Sequence, residues 1–174
     1  MDLTTQQLLS IMPFASKRIP IFLEAINSTR KEFLIDQSLI RTTMWIAQLA
    51  HESGELRYVK EIASGTAYEG RKDLGNTQPG DGVRYKGRGL IQITGRANYE
   101  KLGAALGLSL IEKPELLEEP LNAARSAGWF WFAHKLNEIA ETGDFIKVTK
   151  RINGGTNGLA DRQQYWDKAK RVIV

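Results

Sequence analysis

The chain has 174 residues, 42% of them hydrophobic and 25% charged, with no cysteine and a formal charge of +4. That length suits one domain with a sizeable core, and the composition is that of a globular protein rather than a disordered or fibrous one. The missing cysteine removes disulfide scaffolds, thiol nucleophiles and cysteine zinc sites together, and no apolar run approaches the roughly 20 residues of a membrane span.

Met1 to Gln7 shows no basic stretch followed by an apolar one, so no secretory signal peptide is visible. The first third then reads as helical. Pro13 interrupts an initial segment, and Pro20 to Arg30 offers Ile21, Phe22, Ala25 and Ile26 as an apolar side. Asp36 or Ser38 can cap a stronger helix in which Ile40, Met44 and Ala47 recur, and Gly54 is its natural stop. From Gly65 to Gly89 seven glycines and Pro79 predict a long irregular loop, a feature often functional in a compact domain. Leu90 to Thr94 alternates as a short strand, with Ile91 and Ile93 inward and Gln92 and Thr94 facing a cleft. Pro120 to Ala140 reads as a largely buried helix holding Trp129, Phe130, Trp131 and Phe132. Asp144 caps a short helix to Ile152, Asn153-Gly154-Gly155 turns the chain, and Leu159 to Val172 forms a last helix.

The basic excess is concentrated. Phe145 to Val174 holds seven Lys and Arg against two Asp, while Arg84, Lys86, Arg88, Arg96 and Lys101 face only Glu100. Such runs are either solvated faces or attraction to a polyanion.

Two carboxylates carry the chemical question, Glu52 and Glu61. A continuous helix would set them ~13.5 Å apart along its axis and on opposite faces. A stop at Gly54 lets the chain double back and return Glu61 toward the helix end. That arrangement suits an inverting glycosidase, in which one carboxyl protonates the leaving oxygen and the other activates water. A zincin reading fails, because Glu55 stands where the second histidine is needed. A phosphate loop fails too, because Lys86-Gly87-Arg88 has the wrong order.

Three separated motifs specify more than the carboxylates do. His51-Glu52-Ser53-Gly54, Tyr85 through Thr94, and Ile152-Asn153-Gly154-Gly155 resemble glycoside hydrolase family nineteen in sequence order. Leu74 through Gly82, running on to Thr94-Gly95-Arg96-Ala97-Asn98-Tyr99, resembles the phage and prophage endolysin branch of that family. The resemblance runs from about Gln37 to Arg162.

It implies a mainly α, lysozyme-like, two-lobed α+β domain with a small β element and a substrate cleft, forming one catalytic unit over residues 1–174. It implies Glu52 as general acid, Glu61 as general base and Thr94 as holder of the attacking water. Gln92 and Asn153 would bind sugar, Arg162 would link the acid and base network, and Asn98 and Tyr99 would add contacts. Glu69 stays open as a rival base. The implied partner is bacterial peptidoglycan, cut by a monomer with no cofactor or metal, no nucleic-acid partner and no membrane insertion. Release would follow a holin, from a host cytoplasm to the wall. A chitinase of the same family and a non-catalytic glycan-binding module are the alternatives.

Overall fold

A computed structural model describes residues 1–174. Its helices are α1 (Thr5–Ile11), α2 (Ile19–Glu32), α3 (Leu39–Glu52), α4 (Asp81–Arg84), α5 (Arg96–Leu106), α6 (Pro120–Ala133), α7 (Leu136–Glu141), α8 (Phe145–Asn153) and α9 (Leu159–Val172). None is long and apolar enough to cross a membrane.

The centre is α3. Of the two candidate caps, Ser38 serves: its hydroxyl accepts from the Arg41 N–H at 3.3 Å, satisfying one of the free donors of the first turn. Thr42 to Ala50 are all buried, so the helix is enclosed rather than laid on a surface. It packs chiefly along α9, while α2 packs on α6. Polar residues inside this core have partners. The Trp131 indole donates to Asn137 Oδ1 at 2.8 Å, and the Asn137 amide donates to the Phe33 carbonyl at 3.0 Å.

The four consecutive aromatics distribute around α6 as a helix requires. Trp131 is fully buried, Trp129 and Phe130 are half-buried, and Phe132 is half exposed. The helix is shorter than its composition suggests. It closes at Ala133, and Lys135, at φ 59°, redirects the chain into α7. The loop from Gly65 to Gly89 is irregular, broken only by 3-10 turns at Thr66–Tyr68 and Lys72–Leu74 and by α4. The last helix has the predicted limits, and α8 has its predicted cap, with Asp144 accepting from the Lys147 N–H at 2.8 Å.

The β element is absent, which corrects the expected two-lobed α+β architecture: the fold is mainly α with no strand. Only isolated bridges occur, Lys60 to Arg88 and Arg88 to Ile93. The physical reason lies inside the predicted strand. Gln92 adopts φ 57°, in the left-handed region, so Gly89 to Gln92 turns back on itself and Arg88 and Ile93 exchange backbone bonds of 3.0 and 2.8 Å. Leu90 and Ile93 therefore point into the core, while Ile91 is only half-buried.

Candidate active site

The chain reverses directly after Glu52. Gly54, Glu55 and Leu56 have φ of 56°, 58° and 66°, three successive left-handed residues. Ser53 staples the turn: its hydroxyl donates to the Leu49 carbonyl at 2.6 Å and accepts from the Leu56 N–H at 2.8 Å. The doubling-back that a stop at Gly54 permits is thus built by a tight reversal, and Glu61 is carried back to Gly87. Their backbones bond at 2.8 Å.

Glu52 ends α3 beside a small pocket walled by Trp45, Leu49, Leu90, Ile91, Trp131 and Ile152. Its Oε1 lies 2.6 Å from Arg162 Nη1. Arg162 is only 2% exposed and is held at three points, the others being Gln48 Oε1 at 2.6 Å and the Asn157 carbonyl at 3.1 Å. Gln48 in turn donates to the Thr149 hydroxyl at 2.9 Å. Sequence reasoning missed Gln48, although its place four residues before Glu52 puts both on one face of α3.

Glu61 has two donors. The Tyr68 hydroxyl reaches Oε1 at 2.9 Å and the Gly87 N–H reaches Oε2 at 3.0 Å. Its bond to the Glu61 carboxylate, aided by desolvation, raises the Tyr68 pKa, so the phenol stays a donor at neutral pH. Tyr68 is another residue the sequence reading did not select. Gly87 marks where the remaining candidates converge. A side chain there would meet Gln92 Oε1 at 2.8 Å, Glu61 Oε2 at 3.1 Å and Thr94 Oγ1 at 3.3 Å. Gln92 and Thr94 therefore lie together, as expected of the pair, and beside Glu61, which the alternation did not foresee; a turn rather than a strand brings them there. The same loop flanks both carboxylates: Leu90 and Ile91 stand beside Glu52, and Gln92 stands beside Glu61.

The other candidates divide. Asn153 ends α8 next to Ile152 of the Glu52 pocket, and its amide nitrogen is buried with no hydrogen-bond partner. Asn98 is exposed on the first turn of α5 and donates to the Thr94 carbonyl at 2.7 Å. Tyr99 is fully buried, donating to the Lys86 carbonyl at 2.6 Å and accepting from Arg88 at 3.1 Å, and burial pushes its phenol up to about 12. Glu69 ties a loop: its oxygens accept from the N–H groups of Gly80 and Gly82 at 2.6 and 2.8 Å.

Part of the basic run around Gly87 is tied to neighbouring loops, while Arg84 and Lys101 stay exposed. Arg84 donates to the carbonyls of Ile111 and Glu112, Arg88 pairs with Glu118, and Arg96 pairs with Asp81. The Arg96 guanidinium holds the Asp81 carboxyl below its ordinary range. Arg88 and Arg96 are thus neutralised by carboxylates, whereas Arg84 braces its loop through neutral carbonyls and keeps its charge at the surface.

The model of glycoside hydrolase family 19, chitinase class I, matches residues 27–154. The chain belongs to that family. A family 19 domain-containing protein of Haemophilus influenzae is 41% identical over 103 residues, covering 59% of this chain and 49% of that protein. Endochitinase At2g43610 of Arabidopsis thaliana is 40% identical over 111 residues, covering 63% of this chain and 38% of the enzyme. The chain thus spans about half or less of these relatives' length. Among solved structures, chitinase C of Streptomyces griseus superposes with a TM-score of 0.80 at 21% identity, covering 98% of this chain and 91% of that one. The likeness in structure is one of fold.

These findings correct the branch expected from the Leu74–Gly82 stretch. Plant endochitinases and bacterial chitinases stand among the similar proteins, and the Haemophilus influenzae relative carries the family name alone; these names support the chitinase family rather than its endolysin branch. The expected peptidoglycan partner, host lysis and the holin-dependent route depended on that branch, and they fall with it.

One prediction arises from the packing around Glu52. Gly158, at φ 71°, lies against the His51 ring, and a Cβ there would approach the imidazole Cε1 to 2.4 Å. Gly158→Ala should lower the unfolding free energy by about 1–3 kcal/mol, from the left-handed backbone and the clash together. Urea denaturation followed by tryptophan fluorescence measures it; an unchanged midpoint would contradict the packing described.

Proposed function

We propose that the chain hydrolyses β-1,4 linkages of chitin-type glycans by single displacement with inversion. The family membership and the chitinase names of its relatives support the substrate class. The observation that carries the mechanism is the placement of two differently dressed carboxylates on either side of the loop from Arg88 to Ile93. Glu52, against apolar side chains with one cationic partner, donates a proton to the departing glycosidic oxygen. Glu61, held by two neutral donors among polar oxygens, takes a proton from the attacking water. Thr94 and Gln92 offer that water further hydrogen bonds. Asn153, which ends α8 directly after Ile152 of the Glu52 pocket, binds the N-acetyl sugar there. Asn98 stands at the exposed rim as a further sugar contact, whereas Tyr99 acts through the loop it braces.

Glu69 is left to its loop, which its oxygens tie at Gly80 and Gly82, whereas Glu61 lies with Gln92 and Thr94 around Gly87. The test follows a hexamer of N-acetylglucosamine by proton NMR, which reads the anomer of the new reducing end. The α anomer should appear first; the β anomer would overturn inversion, and an intact hexamer would overturn the function. Glu61→Gln should cut turnover by about 10²-fold or more, and Glu69→Gln by less than about tenfold. The reverse order would move the base to Glu69.

A further inference from the structure

Three side-chain links join the end of α3 and the turn after it to α9. His51 Nδ1 lies 2.6 Å from Asp161 Oδ2, Glu52 Oε1 lies 2.6 Å from Arg162, and the Tyr165 hydroxyl donates to Glu55 Oε1 at 2.9 Å. All three share one sequence offset of 110 residues, so the two segments meet in register. Asp161 and Arg162 lie four and three residues before Tyr165, neighbouring positions on a helix surface. The central link is the pair assigned to proton donation. The outer two have no part in that chemistry.

Both outer links are built at some expense. Asp161 as a carboxylate can only accept, so the His51 Nδ1 carries the proton, and Gly158 packs on the ring to fix its plane. Glu55 is the more telling. It is 4% exposed, sits at φ 58°, and has no cation within salt-bridge reach. Its second oxygen accepts from the Phe14 N–H at 2.7 Å, and its carbonyl accepts from Arg18 at 3.0 Å. A left-handed non-glycine backbone and a buried carboxylate are both unfavourable, and they persist where the surroundings over-determine them. A glycine would make the same reversal without strain or buried charge. The Glu55 carboxylate adds what a glycine cannot, a fixed point for Tyr165 one turn beyond Arg162.

We propose that His51–Asp161 and Glu55–Tyr165 are positioning pairs that fix the α9 register and so hold Arg162, and with it the Glu52 carboxyl, in place for proton donation. The proposal rests on Glu52 as the acid. A misplacement of about 1 Å in reacting groups can cost up to about 10²-fold in rate, so loss of one outer link should be seen in turnover more than in binding.

The test measures kcat and KM on the N-acetylglucosamine hexamer for Tyr165→Phe, Asp161→Asn, Glu55→Gly and Glu55→Gln, with Glu52→Gln as reference and circular dichroism confirming the folded state. Tyr165→Phe and Asp161→Asn should each lower kcat about tenfold with KM within about twofold. Glu55→Gly relieves the left-handed backbone but strands the Tyr165 hydroxyl and the Phe14 N–H, so it should lose stability and lose more turnover than its unfolded fraction accounts for. Glu55→Gln can set its amide oxygen on the Phe14 N–H and its NH2 on the Tyr165 hydroxyl, which then accepts, so the link is kept and most of the rate should be retained; it also serves if a harsher variant fails to fold. Normal kcat in folded Tyr165→Phe and Asp161→Asn, beside an inactive Glu52→Gln, would overturn the positioning role alone. Equally, rate losses that merely track the unfolded fraction would overturn it. Full turnover in Glu52→Gln would remove the acid assignment, and the positioning role with it.

Discussion

Glu52→Gln should lower kcat on chitin oligomers by about 10²- to 10⁴-fold, the range contributed by a positioned acid or base, with oligomer binding retained. The amide keeps the size of the side chain against the apolar wall of Trp45, Leu49, Leu90 and Ile91. It also keeps an oxygen that can accept from Arg162. It cannot deliver a proton to a departing sugar oxygen. Isothermal titration with oligomer, beside the hydrolysis assay, separates the two effects. Turnover above about a tenth of normal would remove Glu52 from the acid role.

Arg162→Leu should be the most destabilising single change near the site, by about 3–5 kcal/mol, because removing one member of a buried pair strands its partners. Glu52 loses its cation, Gln48 loses the donor to its amide oxygen, and the Asn157 carbonyl loses its contact. Arg162→Lys restores charge but not the fork that reaches all three, so it should recover only part of the loss. Urea unfolding of both variants measures the difference. A leucine variant within about 1 kcal/mol of the parent would show that the surface pair value, not the buried one, applies.

How much of this was legible in the sequence depends on the range over which a signal acts. The limits of α9 and the caps at Ser38 and Asp144 are local, and the residues that set them are visible as letters. The reversal after Glu52 was legible in outline from Gly54, but not its continuation through Glu55 and Leu56, since side chains rarely adopt a positive φ. The false strand at Leu90 to Thr94 has the same cause. Five alternating residues fit a strand until one left-handed residue, Gln92, folds them into a turn. The alternation paired Gln92 with Thr94, and the turn keeps the two together; that they lie beside Glu61 was not legible in it. Links between α3 and α9 leave no periodic trace at all. Arg162 was reached only through family resemblance, and Gln48, Tyr68 and Glu55 were not reached. The endolysin branch rested on Leu74–Gly82 and its continuation through Thr94–Tyr99, a local run of letters that includes Thr94.

The constant offset between α3 and α9 also orders events during synthesis. Glu52, His51 and Glu55 leave the ribosome 110 residues before the partners that will hold them. At about 5–20 residues per second, that is an interval of roughly 5–20 s. For that time α3, the most enclosed helix of the fold, has no α9 to pack against, and its terminal carboxylate has no guanidinium. A nascent chain halted before Leu159 would hold both glutamates and every glycine of the central loop, yet lack the buried cation between α3 and α9. Assembly of the site therefore waits on the addition of one helix.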